Sequence, residues 1–239
     1  MPVVKRIDKE TVPESVSIVA MGFSCLEYIQ ETIKLADRTR LTEETWIINA
    51  LGGVIQYDLL FHMDDCRVQE ARAKENPDWN VGGMMRWLKG ARFITSKAYP
   101  DYPGAMEFPL KAVADNLKSL YFNSTPAYAL GYAIAIGVQK IHLYGLDYTY
   151  PDKHKAEKGR ACIEYLCGIA KERGIDVFIP KTTTLFDANV PKEEKPYGYD
   201  AYHVHYEVKD GEFQIDFEEK DLPSAAEIET RYRNLSIAR

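Results

Sequence analysis

The chain has 239 residues, 46% apolar and 28% charged, an ordinary globular balance that excludes disordered and fibrous classes. Its 30 basic and 36 acidic side chains leave a net charge of −6, so net charge gives no support to a nucleic-acid partner. No stretch approaches the roughly 18 apolar residues a membrane helix needs, and residues 1–15 hold no apolar signal core. A cytoplasmic protein without membrane contact is therefore expected.

In chain order, Ser15 to Met21 is a short apolar run closed by Gly22, the pattern of a buried strand. A helix follows, opened by the capping box Ser24–Glu27, with Leu26, Ile29 and Ile33 at helical spacing. Trp46–Ile48 reads as a second strand, Leu59–Met63 as a third and Ala91–Thr95 as a weaker fourth. Pro109 opens an amphipathic helix with Leu110, Val113, Leu117 and Leu120 on one face. Thr125 as N-cap and Pro126 at the first helical position open the next helix, AYALGYAIAI, apolar nearly all round and closed by Gly137. Lys140–Tyr144 is a strand, 155–173 a helix stopped at Gly174, and Asp176–Ile179 a further strand.

Residues 181–202 lose periodicity and read as a loop or lid. His203–Phe217 is a hairpin turning at Asp210-Gly211, and Ser224–Leu235 a last helix. The expected fold is α/β: a mostly parallel sheet with helices on both faces over 1–180, carrying an appendage over 181–239. The four cysteines Cys25, Cys66, Cys162 and Cys167 form no C-x2-C pair and read as reduced, buried thiols.

In such a fold ligands bind outside the carboxyl ends of the strands, so the residues after each strand are the candidates. Gly22-Phe23-Ser24 joins a strand to a helix start, where backbone N–H groups attract an anion; Ser24 alternatively only caps its helix. Asn49 could read a base, ribose or sugar hydroxyl, or simply make a turn. Asp64 and Asp65 could accept ribose hydroxyls, hold Mg²⁺ or Mn²⁺, or cap a helix. Asn123-Ser124-Thr125 forms a phosphate or carboxylate seat at a helix start. Asp147 sits where a catalytic acid would sit, and Tyr148 and Tyr150 could hydrogen-bond a leaving phosphate. His203 and His205 share one hairpin face, where one could act as a base near neutral pH or both form a plain polar face.

The order G-x-S after the first strand, Asn after the second, Asp after the third, and then STPAYALGYAIAIGVQKIHLYGLDY, resembles the sialyltransferase-like glycosyltransferases of family 42. It also resembles the related motility-accessory and 6-hydroxymethylpterin-pyrophosphokinase-like proteins. The resemblance spans about residues 15–180 and implies a Rossmann-like nucleotide-binding core. For the glycosyltransferases it further implies a nucleotide-sugar donor, transfer with no required cofactor, tyrosines on the leaving phosphate and a histidine base from a C-terminal lid.

Gly22 and Ser24 match the first loop, Asn49 the asparagine, Ser124 and Thr125 the helix-start loop, and Asp147 and Tyr148 the G-x-D-[FY] strand end. Tyr150 and His203 or His205 match by role only. The expected activity is sugar transfer to a hydroxyl acceptor, on a glycan or a modified viral DNA base. The alternatives are an ATP- and Mg²⁺-dependent diphosphotransferase ligating metal through Asp64, Asp65 and Asp147, and a non-catalytic nucleotide sensor. A homo-oligomer stays open.

Overall fold

The computed structural model describes residues 3–35, 40–76, 81–190, 196–199 and 201–230. The chain divides into two compact units, Met1–Ala188 and Asn189–Arg239.

The first unit is built on a parallel seven-stranded sheet. Its strands are β1 (Ser15–Val19), β2 (Glu44–Ile48), β3 (Leu59–Phe61), β4 (Phe93–Thr95), β5 (Ala105–Glu107), β6 (Lys140–Tyr144) and β7 (Asp176–Phe178). The spatial order is β5-β4-β3-β2-β1-β6-β7. The chain builds outward from β1 to one edge, then returns to the other side of β1 through β6.

The helices are α1 (Cys25–Ile33), α2 (Cys66–Glu75), α3 (Val81–Leu88), α4 (Leu110–Leu117), α5 (Thr125–Ile136) and α6 (Lys153–Glu172). Strand side chains alternate between the faces, and two cores result. Val16, Ile18, Trp46, Ile48, Phe61, Ile141 and Leu143 pack under α4, α5 and α6, while Val19, Ile47, Leu60, Phe93 and Tyr144 pack under α1, α2 and α3. Both faces are therefore covered, as parallel sheets require. Buried Trp46 centres the larger core, with Phe61 and Tyr132 ring centroids 5.7 and 5.8 Å away.

α5 is buried on every side from Ala129 to Ile136, the consequence of a sequence with no polar face. Its cap lies one residue before the expected one: Ser124 is the N-cap and Thr125 is already helical. β2 begins two residues before Trp46, because Glu44 and Thr45 are buried despite their polarity. The Arg6 guanidinium, itself buried, holds Glu44 at 2.7 Å and Asp8 at 2.6 Å, and Trp46 Nε1 donates to Glu44 at 2.8 Å. This pairing compensates the burial of both charges at the amino end of the sheet. All four cysteines are free and buried.

In the second unit, β8 (Tyr202–Lys209) and β9 (Glu212–Glu219) form an antiparallel hairpin. Asp210 and Gly211 both take positive φ, 54° and 84°, as a two-residue turn of the primed type demands. Residues 225–230 are helical, and the remainder of the expected last helix lies outside the described residues. Among the described residues no helix is long and apolar enough to cross a membrane.

Candidate functional site

The order of strands reverses between β1 and β6, so their exit loops leave toward opposite faces and a crevice opens between them. A cleft of about 410 Å³ lies there. It is lined by Gly22 after β1, Asn49 after β2, Asp64 after β3, Asn123 and Ser124 before α5, Thr125 at its start, and Tyr148, Thr149 and Tyr150 after β6, with Lys155 from α6. Eight of the residues selected from the sequence thus meet on one rim: Gly22, Asn49, Asp64, Asn123, Ser124, Thr125, Tyr148 and Tyr150.

The start of α5 forms one wall. The Ser124 side chain does not cap this helix, and Pro126 supplies no N–H of its own. Its positive end, equivalent to about half an elementary charge, faces the cleft through Thr125. The Ser124 hydroxyl lies 2.8 Å from the Tyr148 hydroxyl. Tyr148 holds a left-handed backbone, φ 49°, and its ring rests on Gly159 of α6. A Cβ at Gly159 would stand 2.2 Å from the ring, so only glycine leaves the tyrosine its place. Burial pushes the Tyr148 phenol well above its ordinary range. It is therefore a neutral hydrogen-bonding group rather than a phenolate at physiological pH.

Asn49 and Asp64 face this wall from the β2 and β3 ends. Asn49 opens a 3₁₀ turn over 49–53 in a left-handed conformation, φ 53°, which asparagine tolerates better than most residues. Its Oδ1 lies 2.9 Å from Nδ1 of buried His62. Asp64 is exposed. On the far rim the Lys155 ammonium stands 5.6 Å from the Tyr150 ring centroid, in cation–π range.

The other expected site residues lie elsewhere. Ser24 and Asp147 are each 1% exposed and are not in the cleft lining. The Ser24 N–H donates to Asp147 Oδ2 at 2.6 Å, its hydroxyl donates to Oδ1 at 2.5 Å, and the Gly145 N–H donates to the Ser24 hydroxyl at 2.8 Å. The Gly22 N–H donates to the Gly145 carbonyl at 2.8 Å. Ser24 therefore makes no side-chain cap, and the expected capping box is not formed. Its hydroxyl joins the β1 and β6 exit loops instead. Glu27 accepts from the Thr182 N–H at 2.9 Å, and the Thr184 hydroxyl donates to the Asp147 carbonyl, which fastens residues 182–184 to α1 and the β6 exit loop.

Phe23 is 66% exposed and outside the lining. Asp65 is the N-cap of α2, accepting from the Arg67 and Val68 N–H groups at 2.8 and 3.3 Å and from the Tyr99 hydroxyl at 2.8 Å. The Tyr99 bond, with the two N–H groups, holds its carboxyl below the usual range. Asp64, Asp65 and Asp147 consequently do not converge on a common seat for Mg²⁺ or Mn²⁺. Among the described residues no three metal-ligating side chains cluster.

His203 and His205 belong to the second unit. They share a face of the hairpin opposite Glu218 and Asp216, with ring centroids 6.2 Å apart and His205 Nε2 3.5 Å from Glu218. Lys155 is the one polar side chain of a helix interior in this lining that no sequence signal singled out, being one of several lysines at the start of α6. His62, which the sequence places in the sheet packing, is buried there behind Asn49.

No protein-family model and no curated protein matches the chain. Among solved structures it is similar to an α-2,3-sialyltransferase from Campylobacter jejuni in its apo form, at 14% identity and a TM-score of 0.40 over the whole of both chains. It is also similar to the sialyltransferase CstII from C. jejuni in complex with the substrate analogue CMP-3FNeuAc. That match has 15% identity and a TM-score of 0.38, and covers 92% of this chain and all of the other. At such scores the fold rests on this chain's own strand order, and the site on its own geometry.

Proposed function

We propose that the chain is a glycosyltransferase that binds a nucleotide-sugar donor in the cleft between β1 and β6 and transfers the sugar to a hydroxyl acceptor. The observation that carries the reading is the meeting of polar residues from the β2, β3 and β6 ends and the start of α5, with Gly22 from the β1 end, on one cleft at the switch point. A nucleotide sugar needs such mixed chemistry: donors for the phosphate, and acceptors for ribose or sugar hydroxyls.

In this reading the positive end of α5, the Thr125 hydroxyl and the Lys155 ammonium hold the phosphate. Negative charge grows on that phosphate as the sugar departs, and preorganised donors stabilise it most at that stage. Tyr150 donates from the exposed rim. Tyr148, kept neutral by burial and bound to Ser124, fixes the α5 wall. Asn49 reads a ligand oxygen and Asp64 accepts a hydroxyl. The family resemblance offers His203 or His205 as the base that takes the acceptor's proton.

The diphosphotransferase reading has less support, because two of its three expected carboxylates are engaged elsewhere. The test is incubation with CMP-, UDP- and GDP-sugars, and separately with ATP and Mg²⁺, following product by chromatography. Release of nucleotide from a sugar donor is the expected result. AMP formation would instead support diphosphate transfer. Tight binding without turnover would support a sensor.

A further inference from the structure

We propose that His62 is a positioning residue for this cleft: its Nδ1–H holds the Asn49 carboxamide oxygen and thereby turns the amide NH₂ toward the ligand as a hydrogen-bond donor. The inference rests on the nucleotide-binding reading of the cleft and adds the direction in which Asn49 reads its ligand.

The placement follows from the sheet. β2 and β3 are parallel with Ile48 opposite Phe61, so the next residues along each strand, Asn49 and His62, are neighbours at the carboxyl ends. The His62 backbone is tied to β4, its N–H donating to the Ile94 carbonyl at 2.9 Å, and its ring stands edge-on to Phe93 at 6.3 Å. The side chain is 0% exposed and cannot swing away. Asn49, by contrast, is half-buried and lines the cleft.

The proton inventory then fixes the roles. The carboxamide oxygen, 2.9 Å from Nδ1, can only accept, so Nδ1 carries the hydrogen. Nε2 is buried and has no hydrogen-bond partner among the described residues. Burial holds the ring below the ordinary histidine range, so it stays neutral and Nε2 keeps a bare lone pair. An unsatisfied buried acceptor is costly. A leucine would fill that volume without orphaning a nitrogen, so what the imidazole adds is its hold on Asn49. With the oxygen held inward, the two amide hydrogens point outward, where they match a phosphate or ribose oxygen.

The experiment has two arms on the full chain. The first records long-range ¹H–¹⁵N correlations of the histidine side chains at neutral pH, with His62 assigned by its absence from His62→Gln. A neutral ring with the proton on Nδ1 is expected. A proton on Nε2 would mean that the amide is reversed, and a doubly protonated ring would mean that it is not held as described; either overturns the proposal.

The second arm measures the affinity of CMP, UMP and GMP for wild type, His62→Leu, His62→Gln, Asn49→Ala and the His62→Leu/Asn49→Ala double variant. His62→Leu should weaken the best nucleotide about tenfold, the scale of one hydrogen bond. His62→Gln, which retains an N–H donor, should restore most of that affinity, and the double variant should be no weaker than Asn49→Ala alone. Additive losses, or no loss in His62→Leu, would overturn the proposal even if His62→Leu folds less well, since rescue by His62→Gln is read separately. If wild type binds none of the three, the nucleotide reading fails and the ligand half of this proposal falls with it. The tautomer measurement would still decide whether His62 holds Asn49.

Discussion

Ser24→Ala removes two hydrogen bonds at once from the junction between β1 and β6. The Asp147 Oδ1 loses its hydroxyl donor at 2.5 Å, and the Gly145 N–H loses its acceptor at 2.8 Å. Both groups are buried, and alanine supplies no replacing hydroxyl. A hydrogen bond to a charged group contributes about 1.5–3 kcal/mol, and an orphaned buried amide costs about 1–3 kcal/mol. We therefore expect a loss of about 3 kcal/mol or more, which in a unit of this size lowers the melting temperature by roughly 6–12 °C. Urea denaturation read by circular dichroism measures it, with the slope unchanged if only the native state is affected. Nucleotide affinity should fall less than it does for a variant at the cleft surface. A shift under about 2 °C, on that same scale, together with abolished nucleotide binding, would refute the reasoning and make Ser24 a ligand contact.

Gly159→Ala sets a methyl group against the Tyr148 ring; overpacking of this kind costs about 1–3 kcal/mol, and calorimetry should show that loss together with weakened nucleotide binding. Lys155→Ala should weaken nucleotide binding about tenfold at low salt and less at high salt, since the rim charge is exposed to screening; titration at two ionic strengths reads this. His142, with both ring nitrogens buried and without a partner among the described residues and its ring 4.9 Å from Phe178, is held below the ordinary histidine value of 6.5 by burial, aided by Lys140. The unfolded chain protonates first as pH falls, so the stability of the neutral form is full above about pH 6.5 and drains below it; His142→Phe should flatten that slope and be more stabilising at pH 5.5 than at pH 8, as denaturation at both values would show. His203→Ala or His205→Ala should lower turnover far more than donor affinity, and unchanged rates in both would remove these residues from the mechanism.

The parts of the fold legible in the sequence are those where composition and burial agree. β1, α5 and β6 are mainly apolar segments followed by glycine, and they form two interior strands of the sheet and its buried helix. The hairpin was legible from Asp210-Gly211. α2 carried little signal because it buries only Cys66 and Gln69, and α3 because two of its eight residues are glycines. β5 is an edge strand of three residues, none fully buried. Polar burial hid the true start of β2, since Glu44 enters the core only by pairing with Arg6.

The candidate site was legible as a set of strand ends but not as a set of roles. Residues 24 and 147 each stand at a strand exit, and nothing local reveals that they are spent on each other across 123 positions. Thr125 and Ser124 exchanged the capping role because Pro126 is tolerated at either of the first helical positions. His62 and Asn49 are thirteen residues apart and meet only through the β2–β3 register. Lys155 reaches the cleft because α6 begins beside the β6 exit, a placement set by topology rather than by any motif.

The most direct test of the nucleotide-binding cleft is a crystal structure of the protein grown with the nucleotide that the incubation panel selects. Density for the nucleotide phosphate beside Thr125 and Lys155, with the Asn49 amide on a ligand oxygen, is the predicted result. A nucleotide seated away from the β1–β6 crevice, with that cleft left to solvent, would contradict the account.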